Sequence, residues 1–317
     1  MTTVQTVSGP VDGATLGFTL SHEHVLVVMG EDNHHYPWMF DWDRTRANAV
    51  RELSEAKAGG VDTVIELTTP DLGRDVEFVR GVGDAAGINV VVATGIWRDV
   101  PRSFWTRDPD KVADIFVREI EVGIGDTGIR AGVIKVANDA EGVTAQAEPV
   151  LRGAARALKR TGCPISTHHW APLEVGRRQV EIFQEEGAPM DRICIGHSAD
   201  TTDVAYLEDL LRTGVYLSMD RYPGAEGRPT WQERNATVKA LVDRGWAHRL
   251  MLGHDYAPAP VSARAGERAA ANAPDVTRYL FVSTVALPAL LADGVSQADI
   301  DLMMREVPRR FLTGDAV

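Results

Sequence analysis

The feature that most restricts the fold is a strict alternation of two patterns along the 317 residues. Short runs rich in β-branched residues are each followed by a longer amphipathic stretch. The eight runs occupy residues 18–27, 61–67, 89–95, 131–137, 163–169, 192–198, 215–220 and 249–255. Alternating strands and helices predict a parallel sheet, and eight such units predict a closed (β/α)8 TIM barrel. We therefore predict one α/β domain over 1–317, closed by a helix within 296–312.

An open, doubly wound sheet is the alternative arrangement of the same elements. It would need a glycine-rich phosphate-binding turn after the first strand, where this chain has SHEHV at 21–25. The length also suits two domains of roughly 150 residues, but no linker, charge block or low-complexity tract divides the chain. The Ala- and Pro-rich stretch at 257–274 follows the eighth strand, and we interpret it as a long loop.

Composition excludes several classes of partner. The chain carries 45 acidic against 33 basic residues, a net charge of −12, which disfavours non-specific binding to nucleic acid or to an anionic membrane. No apolar run reaches the roughly 18 residues of a membrane span, and the N-terminus lacks the pattern of a signal peptide. Cys163 and Cys194 lie in strand-like runs, so we expect buried reduced thiols and a cytoplasmic protein.

Polar side chains that suit metal ions gather at the ends of the predicted strands. Active sites of such barrels lie at the carboxyl ends of the strands, where imidazole and carboxylate groups bind Zn, Fe, Co or Mn. Six candidate ligands exceed the roughly three that one catalytic zinc takes, so two divalent ions are favoured. The candidate ligands are His22, His24, Lys135, His168 or its neighbour His169, His197 and Asp255.

Lys135 is unusual because it lies in the apolar strand-like run AGVIKVA, whereas the other four lysines lie in polar surroundings. A lysine is almost never fully buried unless it is paired, shifted in pKa or modified. A neutral amine can add CO2 to give a carbamate, N6-carboxylysine, whose two oxygens can bridge two metal ions. Two alternatives stay open, a salt bridge inside the barrel and the Schiff-base nucleophile of a lyase.

Two longer motifs surround these residues: GFTLSHEHV at 17–25 and IKVANDAEGVTAQAEPVLRGAARALKRTGCPISTH at 134–168. Together with GIWRDVP and IGHSAD, they resemble the phosphotriesterase family of the amidohydrolase superfamily, over nearly the whole chain. The resemblance implies one ion bound by His22, His24 and Asp255 and a second bound by His168 and His197. Carboxylated Lys135 and a hydroxide would bridge them. Zinc is the expected metal, with Fe, Co or Mn as alternatives.

The resemblance also implies hydrolysis by attack of the bridging hydroxide, with catalytic roles for three residues. Asp255 would bind a metal and accept the proton. Asp200 would act as a relay partner, although its position in ADTTD suits a surface helix cap equally well. Arg221 follows the seventh strand. We expect Glu23 to support a ligand, and His169 and His254 to point away from the metals.

The residues expected to contact substrate favour two different substrate classes. Arg221 and Tyr256 resemble the phosphotriesterase-like lactonases, whereas Trp97 resembles the organophosphate-hydrolysing enzymes. We predict a lactonase for acyl-homoserine or related lactones, with weak phosphotriester hydrolysis, and the alternative is a primary aryldialkyl phosphotriesterase. Trp170 and Tyr222 are further candidates for substrate binding, with 257–274 as a wall. The aromatic stretch at 34–42 would line the pocket or form a homodimer patch.

Overall fold

A computed structural model describes residues 2–258 and 278–315, and its centre is an eight-stranded parallel sheet. An N-terminal antiparallel hairpin, β1 (Thr3–Thr6) and β2 (Gly9–Asp12), precedes the sheet. The eight strands pair in chain order, each parallel to the next, as a (β/α)8 barrel requires. They are β3 (Thr19–Glu23), β4 (Thr63–Glu66), β5 (Asn89–Ile96), β6 (Val133–Ala137), β7 (Ile165–His168), β8 (Ile193–Ile195), β9 (Tyr216–Met219) and β10 (Leu250–Leu252). The predicted barrel is confirmed, and the open sheet is excluded.

The barrel closes between β10 and β3 through two backbone hydrogen bonds. The amide of Asp255 donates to the carbonyl of His22 at 2.9 Å, and the amide of His24 donates to the carbonyl of Tyr256 at 2.8 Å. Three of these four residues are predicted site residues with metal-ligand roles. The seam of the barrel and the candidate site therefore share the same backbone.

Helices follow the strands and cover the outside of the barrel. Aspartate and threonine side chains cap several N-termini, as at Asp41, Asp75 and Thr230, which satisfies amides that lack a helical partner. Ser296 caps the predicted closing segment, which is helical to Thr313 with one wider π turn at Leu302–Glu306. The helices are α1 (Asp32–His35), α2 (Trp42–Ala58), α3 (Val76–Ala86), α4 (Pro109–Glu121), α5 (Glu148–Thr161), α6 (Gly176–Glu185), α7 (Val204–Arg212), α8 (Trp231–Asp243), α9 (Leu287–Ala292), α10 (Gln297–Asp301) and α11 (Val307–Thr313).

Apolar side chains fill the lower half of the barrel and leave its upper end to polar groups. Alternation along the strands sends Val64 into the layer between sheet and helices and Ile65 into the barrel interior. Val4 and Leu16 from the N-terminal segment and Phe311 from α11 pack against the interior side chains and close the bottom. The candidate ligands therefore lie above an apolar floor, at the carboxyl ends of the strands.

Two glycines allow close backbone contacts beside predicted ligands. Gly95 has φ +121°, and a Cβ there would clash with the carbonyl oxygen of Lys135 on the neighbouring strand. A Cβ at Gly196 would clash with the carbonyl oxygen of Thr167. Glycine at these positions lets β5 and the end of β8 approach the ligand-bearing strands closely.

Both cysteines are buried and free, as expected. Burial raises the pKa of both thiols, that of Cys163 to about 12, so neither is a reactive thiolate near neutral pH. Among the described helices, none is both long and apolar enough to cross a membrane. Of the predicted loop at 257–274, everything after Pro258 lies outside the described residues.

Candidate active site

All six predicted metal ligands line one cavity of about 270 Å³ at the carboxyl ends of the strands. His22 and His24 lie two positions apart on β3, so both side chains point to the same face. The other ligands come from β6, the end of β7 and the turns after β8 and β10. The fold thus brings together groups from opposite ends of the chain.

The first group of ligands is His22, His24 and Asp255, whose donor atoms all lie within 4.8 Å of one another. The Oδ1 atom of Asp255 lies 3.1 Å from Nε2 of His24 and 3.3 Å from Nε2 of His22. Asp255 has a left-handed backbone, φ 53°, which turns its carboxylate back over the barrel mouth. Two imidazoles and one carboxylate are a donor set that binds divalent ions.

The second group adjoins the first. His168 Nδ1 and His197 Nε2 lie 2.8 Å apart, and the rings of His22 and His197 stack with centroids 4.6 Å apart. Lys135 lies beside both groups, with Nζ 3.0 Å from Nε2 of His22. Burial lowers the pKa of Lys135 to about 8, so roughly a tenth of the amine is neutral at pH 7.

Asp220, directly after β9, fixes the protons of two candidate ligands. Its carboxylate accepts from Nδ1 of His22 at 2.9 Å, from Nδ1 of His197 at 2.8 Å and from the amide of His197 at 3.1 Å. Burial opposes the ionisation of Asp220, but its contacts with His22 and His197 outweigh burial and lower its pKa. Both imidazoles therefore present a bare Nε2 to the cavity, as metal ligation requires.

A threonine and a glutamate fix the proton of His24 on Nδ1. Nδ1 of His24 lies 2.8 Å from the hydroxyl oxygen of Thr68, and that hydroxyl donates in turn to the buried carboxylate of Glu66. Thr68 therefore accepts the Nδ1 proton, and Nε2 of His24 faces Asp255. Asp220, Thr68 and Glu66 are not among the site residues predicted from the sequence. The sequence feature that could have identified them is their position, since each lies at or just beyond the end of a strand.

The donor set fits divalent metal ions in both groups. Burial lowers the pKa of His22 to about 4 and those of His168 and His197 well below the ordinary value, so these three imidazoles are neutral at pH 7. Burial opposes the ionisation of Asp255, but neighbouring groups, among them Arg221, which donates to the carboxylate at 2.9 Å, outweigh burial and hold its pKa far below the ordinary range. Neutral imidazoles and an ionised carboxylate are the forms that bind metals.

Glu23, His254 and His169 take supporting positions, as expected. The Glu23 carboxylate accepts from Nδ1 of His254 at 2.7 Å and from the amides of His254 and Tyr256. These bonds hold the backbone on both sides of Asp255. His169 points away from the ligands and donates from Nδ1 to the carbonyl of Gly196 at 2.7 Å.

Arg221 connects Asp255 to Asp200. Its Nε donates to Oδ2 of Asp255 at 2.9 Å, and its Nη1 donates to Oδ2 of Asp200 at 2.6 Å. Burial would lower the pKa of Arg221, but attraction to Asp255 and Asp200 outweighs it and raises the pKa. Asp200 is buried, also contacts Arg228 and Arg234, and does not cap α7, whose cap is Asp203. The surface-cap alternative is wrong, and the relay role stays a prediction.

Trp97 is the predicted substrate residue that lines the cavity. Its indole nitrogen lies 3.3 Å from Nδ1 of His168, and the two rings meet edge to face. The apolar side chains of Val27, Met29 and Leu72 form part of the same wall.

The other three aromatic candidates lie elsewhere, which corrects the prediction. Tyr222 is buried in the core, where its hydroxyl donates to Asn235 at 2.8 Å. Tyr256 turns outward, and its hydroxyl donates to Glu52 of α2 at 2.9 Å. Trp170 packs under the guanidinium of Arg228 and is absent from the cavity wall that the described residues form.

The aromatic stretch at 34–42 also contributes no side chain to that wall, as far as the described residues form it. Tyr36 and Trp38 are instead exposed, Trp38 by 77%, and their rings contact each other edge to face. The homodimer patch remains a prediction.

Comparison with known proteins places this site in a family. The model of the phosphotriesterase family matches residues 2–312. The chain belongs to the phosphotriesterase family. It is 42% identical to the phosphotriesterase homology protein of Mycobacterium tuberculosis over 98% of both chains. It is 33% identical to the aryldialkylphosphatase of Saccharolobus solfataricus, over 96% of this chain and 97% of the relative.

A solved structure of the phosphotriesterase from Mycobacterium tuberculosis has the same architecture. It matches with a TM-score of 0.92 and 41% sequence identity, over 98% of each chain. The resemblance inferred from the two motifs is confirmed, and membership of the phosphotriesterase family supports a hydrolase that acts on small molecules.

Proposed function

We propose that the chain is a binuclear metal-dependent hydrolase of ester bonds and that lactones are its best substrates. The observation that carries this proposal is the pair of adjoining ligand groups in one cavity, with every assigned imidazole proton directed away from it. A single zinc site would not require six such groups.

The ions would be held by His22, His24 and Asp255 on one side and by His168 and His197 on the other. Lys135, as N6-carboxylysine, would supply an oxygen to each. Two divalent ions, zinc being expected and Fe, Co or Mn also suited, supply Lewis acidity and lower the pKa of bound water from 15.7 toward about 7.

The protein's own groups place the proton acceptor. We propose that Asp255 takes the proton of the attacking water, while Arg221 fixes the carboxylate at 2.9 Å. Because the pKa of Arg221 is raised, the guanidinium keeps its own protons and acts by position. Asp200 then serves to hold Arg221, at 2.6 Å, and is itself held by Arg228 and Arg234.

The lactone preference rests on the shape and lining of the cavity. The described residues line a half-open cavity of about 270 Å³, at the small end of ligand sites. A phosphotriester is tetrahedral with three substituents and needs three subsites. A lactone has a planar carbonyl and one ring, which a compact cavity with Arg221 on its wall accommodates better.

The primary phosphotriesterase is the second candidate, because Trp97 lines the cavity where the lactonases have a tyrosine. A panel of acyl-homoserine lactones, simple lactones and paraoxon-like esters separates the two. We expect kcat/KM for the best lactone to exceed that for the best phosphotriester by at least about tenfold, or roughly 1.4 kcal/mol. Faster hydrolysis of paraoxon-like esters than of every lactone would favour the second candidate.

Elemental analysis of protein purified without chelator tests the metal centre. We expect about two divalent ions per chain, and H22A should lower both metal content and activity. Full activity of a metal-free preparation would contradict the proposal. Trapping of Lys135 by borohydride with a carbonyl substrate would instead support the Schiff-base lyase.

A further inference from the structure

The tripeptide Trp97–Asp99 follows β5 and carries the indole that lines the cavity. The indole touches His168, so a small movement of this tripeptide changes both the cavity wall and the surroundings of a candidate ligand. What fixes the tripeptide therefore matters for substrate binding.

Asp71, in the turn Pro70–Leu72 after β4, binds this tripeptide from one side. Its Oδ1 accepts from the amide of Trp97 at 3.1 Å, and its Oδ2 accepts from the amide of Asp99 at 3.1 Å. The hydroxyl of Thr69 also donates to Oδ1, at 2.5 Å. One carboxylate on two amides of the same tripeptide fixes its orientation as well as its distance.

The opposite side of the tripeptide is tied more weakly. The Arg98 guanidinium lies over the Trp97 ring, 5.3 Å from its centroid, and forms an ion pair with Asp139 in the loop after β6. Arg98 is 38% exposed, so solvent screens this pair. Asp71 is only 6% exposed, and its hydrogen bonds are shielded from water. Asp71 is therefore the main restraint.

We propose that Asp71 is a positioning residue that sets the place of Trp97 in the cavity wall and thereby controls substrate binding. The proposal rests on the proposed function only in taking the cavity as the substrate site. Asp71 is absent from the cavity wall and has no hydrogen bond to a candidate metal ligand among its contacts in the described chain. Leu72, next to Asp71 in the turn, also lines the cavity, so the W97F background isolates the part of the effect that passes through Trp97.

D71N is the sharpest variant. Asparagine has one acceptor oxygen, so its NH2 group would face an amide donor of Trp97 or Asp99 and the tripeptide would shift. We expect kcat/KM for the best substrate to fall about threefold to tenfold, chiefly through a higher KM, with metal content unchanged. W97F alone should give a similar change, and the double variant D71N/W97F should match W97F within about twofold.

Tryptophan fluorescence reports the expected movement of Trp97 without requiring catalytic turnover. The spectrum of the intact chain minus that of W97F isolates one of seven tryptophans. The corresponding difference, D71N minus D71N/W97F, should show Trp97 emission shifted to longer wavelength, because the ring becomes more exposed. D75N is the matched control, because Asp75 caps α3 and asparagine caps equally well without touching the tripeptide.

Several results would overturn the proposal. D71N could lower kcat/KM by the same factor with and without the W97F substitution, could reduce metal content in parallel, or could leave the Trp97 emission unchanged. If D71N does not fold, T69V removes only the donor to Oδ1 and should shift the emission in the same direction. Should the wild type hydrolyse no ester, the proposed function fails, whereas the fluorescence comparison still decides the role of Asp71.

Discussion

Replacing Asp220 by asparagine is the most direct test of how the candidate ligand histidines are held with Nε2 free to bind a metal. The carboxylate accepts the Nδ1 protons of His22 and His197, at 2.9 and 2.8 Å. The amide of asparagine offers one oxygen and one NH2 group in the same space. Its oxygen can accept from one imidazole, but its NH2 group then faces the Nδ1–H of the other.

The second imidazole can relieve this contact only by moving its proton to Nε2, which is the atom that faces the cavity. That histidine is then lost as a ligand. Loss of such a supporting contact typically costs about 10- to 100-fold in metal affinity or activity. If the proton instead stays on Nδ1, the unpaired buried donor costs about 1–3 kcal/mol of folding stability.

Elemental analysis after dialysis measures the metal content, and kcat on the best substrate measures activity. Chemical denaturation measures folding stability. We expect D220N to retain the fold, hold one divalent ion more weakly than the other and lose at least about tenfold in kcat. D203N, at the exposed cap of α7, is the control and should change none of the three. Full metal content with unchanged kcat in D220N would refute the assignment of both tautomers.

Three further predictions follow from other contacts. K135A should be nearly inactive and partly rescued by short carboxylic acids or bicarbonate, whereas activity that needs no rescue would exclude a bridging role. R221H should narrow the kcat/KM gap between lactone and phosphotriester, and an unchanged gap would show that Arg221 does not select substrate. Partial burial opposes ionisation of Asp62, but hydrogen bonds from Lys57 and the amide of Phe18 lower its pKa below 3.8. The stabilisation of the fold by ionised Asp62 is therefore present above pH 3.8 and is lost as pH falls through the lower folded pKa. D62N should lower the free energy of unfolding by about 1 kcal/mol at pH 7 and by progressively less in acid, as measured by urea denaturation.

The barrel and the convergence of the six candidate ligands on one cavity could be predicted because both follow from local patterns. Strand alternation and strand ends are visible in sequence, and the ligands stand at those ends. Asp220 stands at such an end too, but its role depends on the approach of His22 from β3 and His197 from β8. That convergence is a product of barrel closure and is absent from any sequence window.

Tyr222 and Tyr256 lie outside the cavity wall for a related reason. Arg221 has a left-handed backbone, φ 65°, so the chain turns at the point where the strand direction would have carried Tyr222 into the cavity. Tyr256 has the opposite strand phase to Asp255, which points into the cavity, and its ring turns outward to Glu52. Proximity to a ligand in sequence therefore says little about side-chain direction where the backbone leaves the strand conformation.

The closure of the barrel and the binding of metal depend on the same few residues. The hydrogen bond from the Asp255 amide to the His22 carbonyl joins the last unit to the first, and both side chains belong to one ligand group. Glu23, between the two histidines of β3, holds the backbone around Asp255 from the other direction.

An ion bound by these side chains would resist separation of the seam, because separation would break its coordination. Binding of metal to the folded chain alone then stabilises the barrel by RT ln(1 + [L]/Kd), about 2.7 kcal/mol at a hundredfold excess over Kd. The acidic and basic groups crowded at this seam are thus compatible with a stable fold, since each is either paired, as Asp220 and Glu23 are, or directed at a metal position.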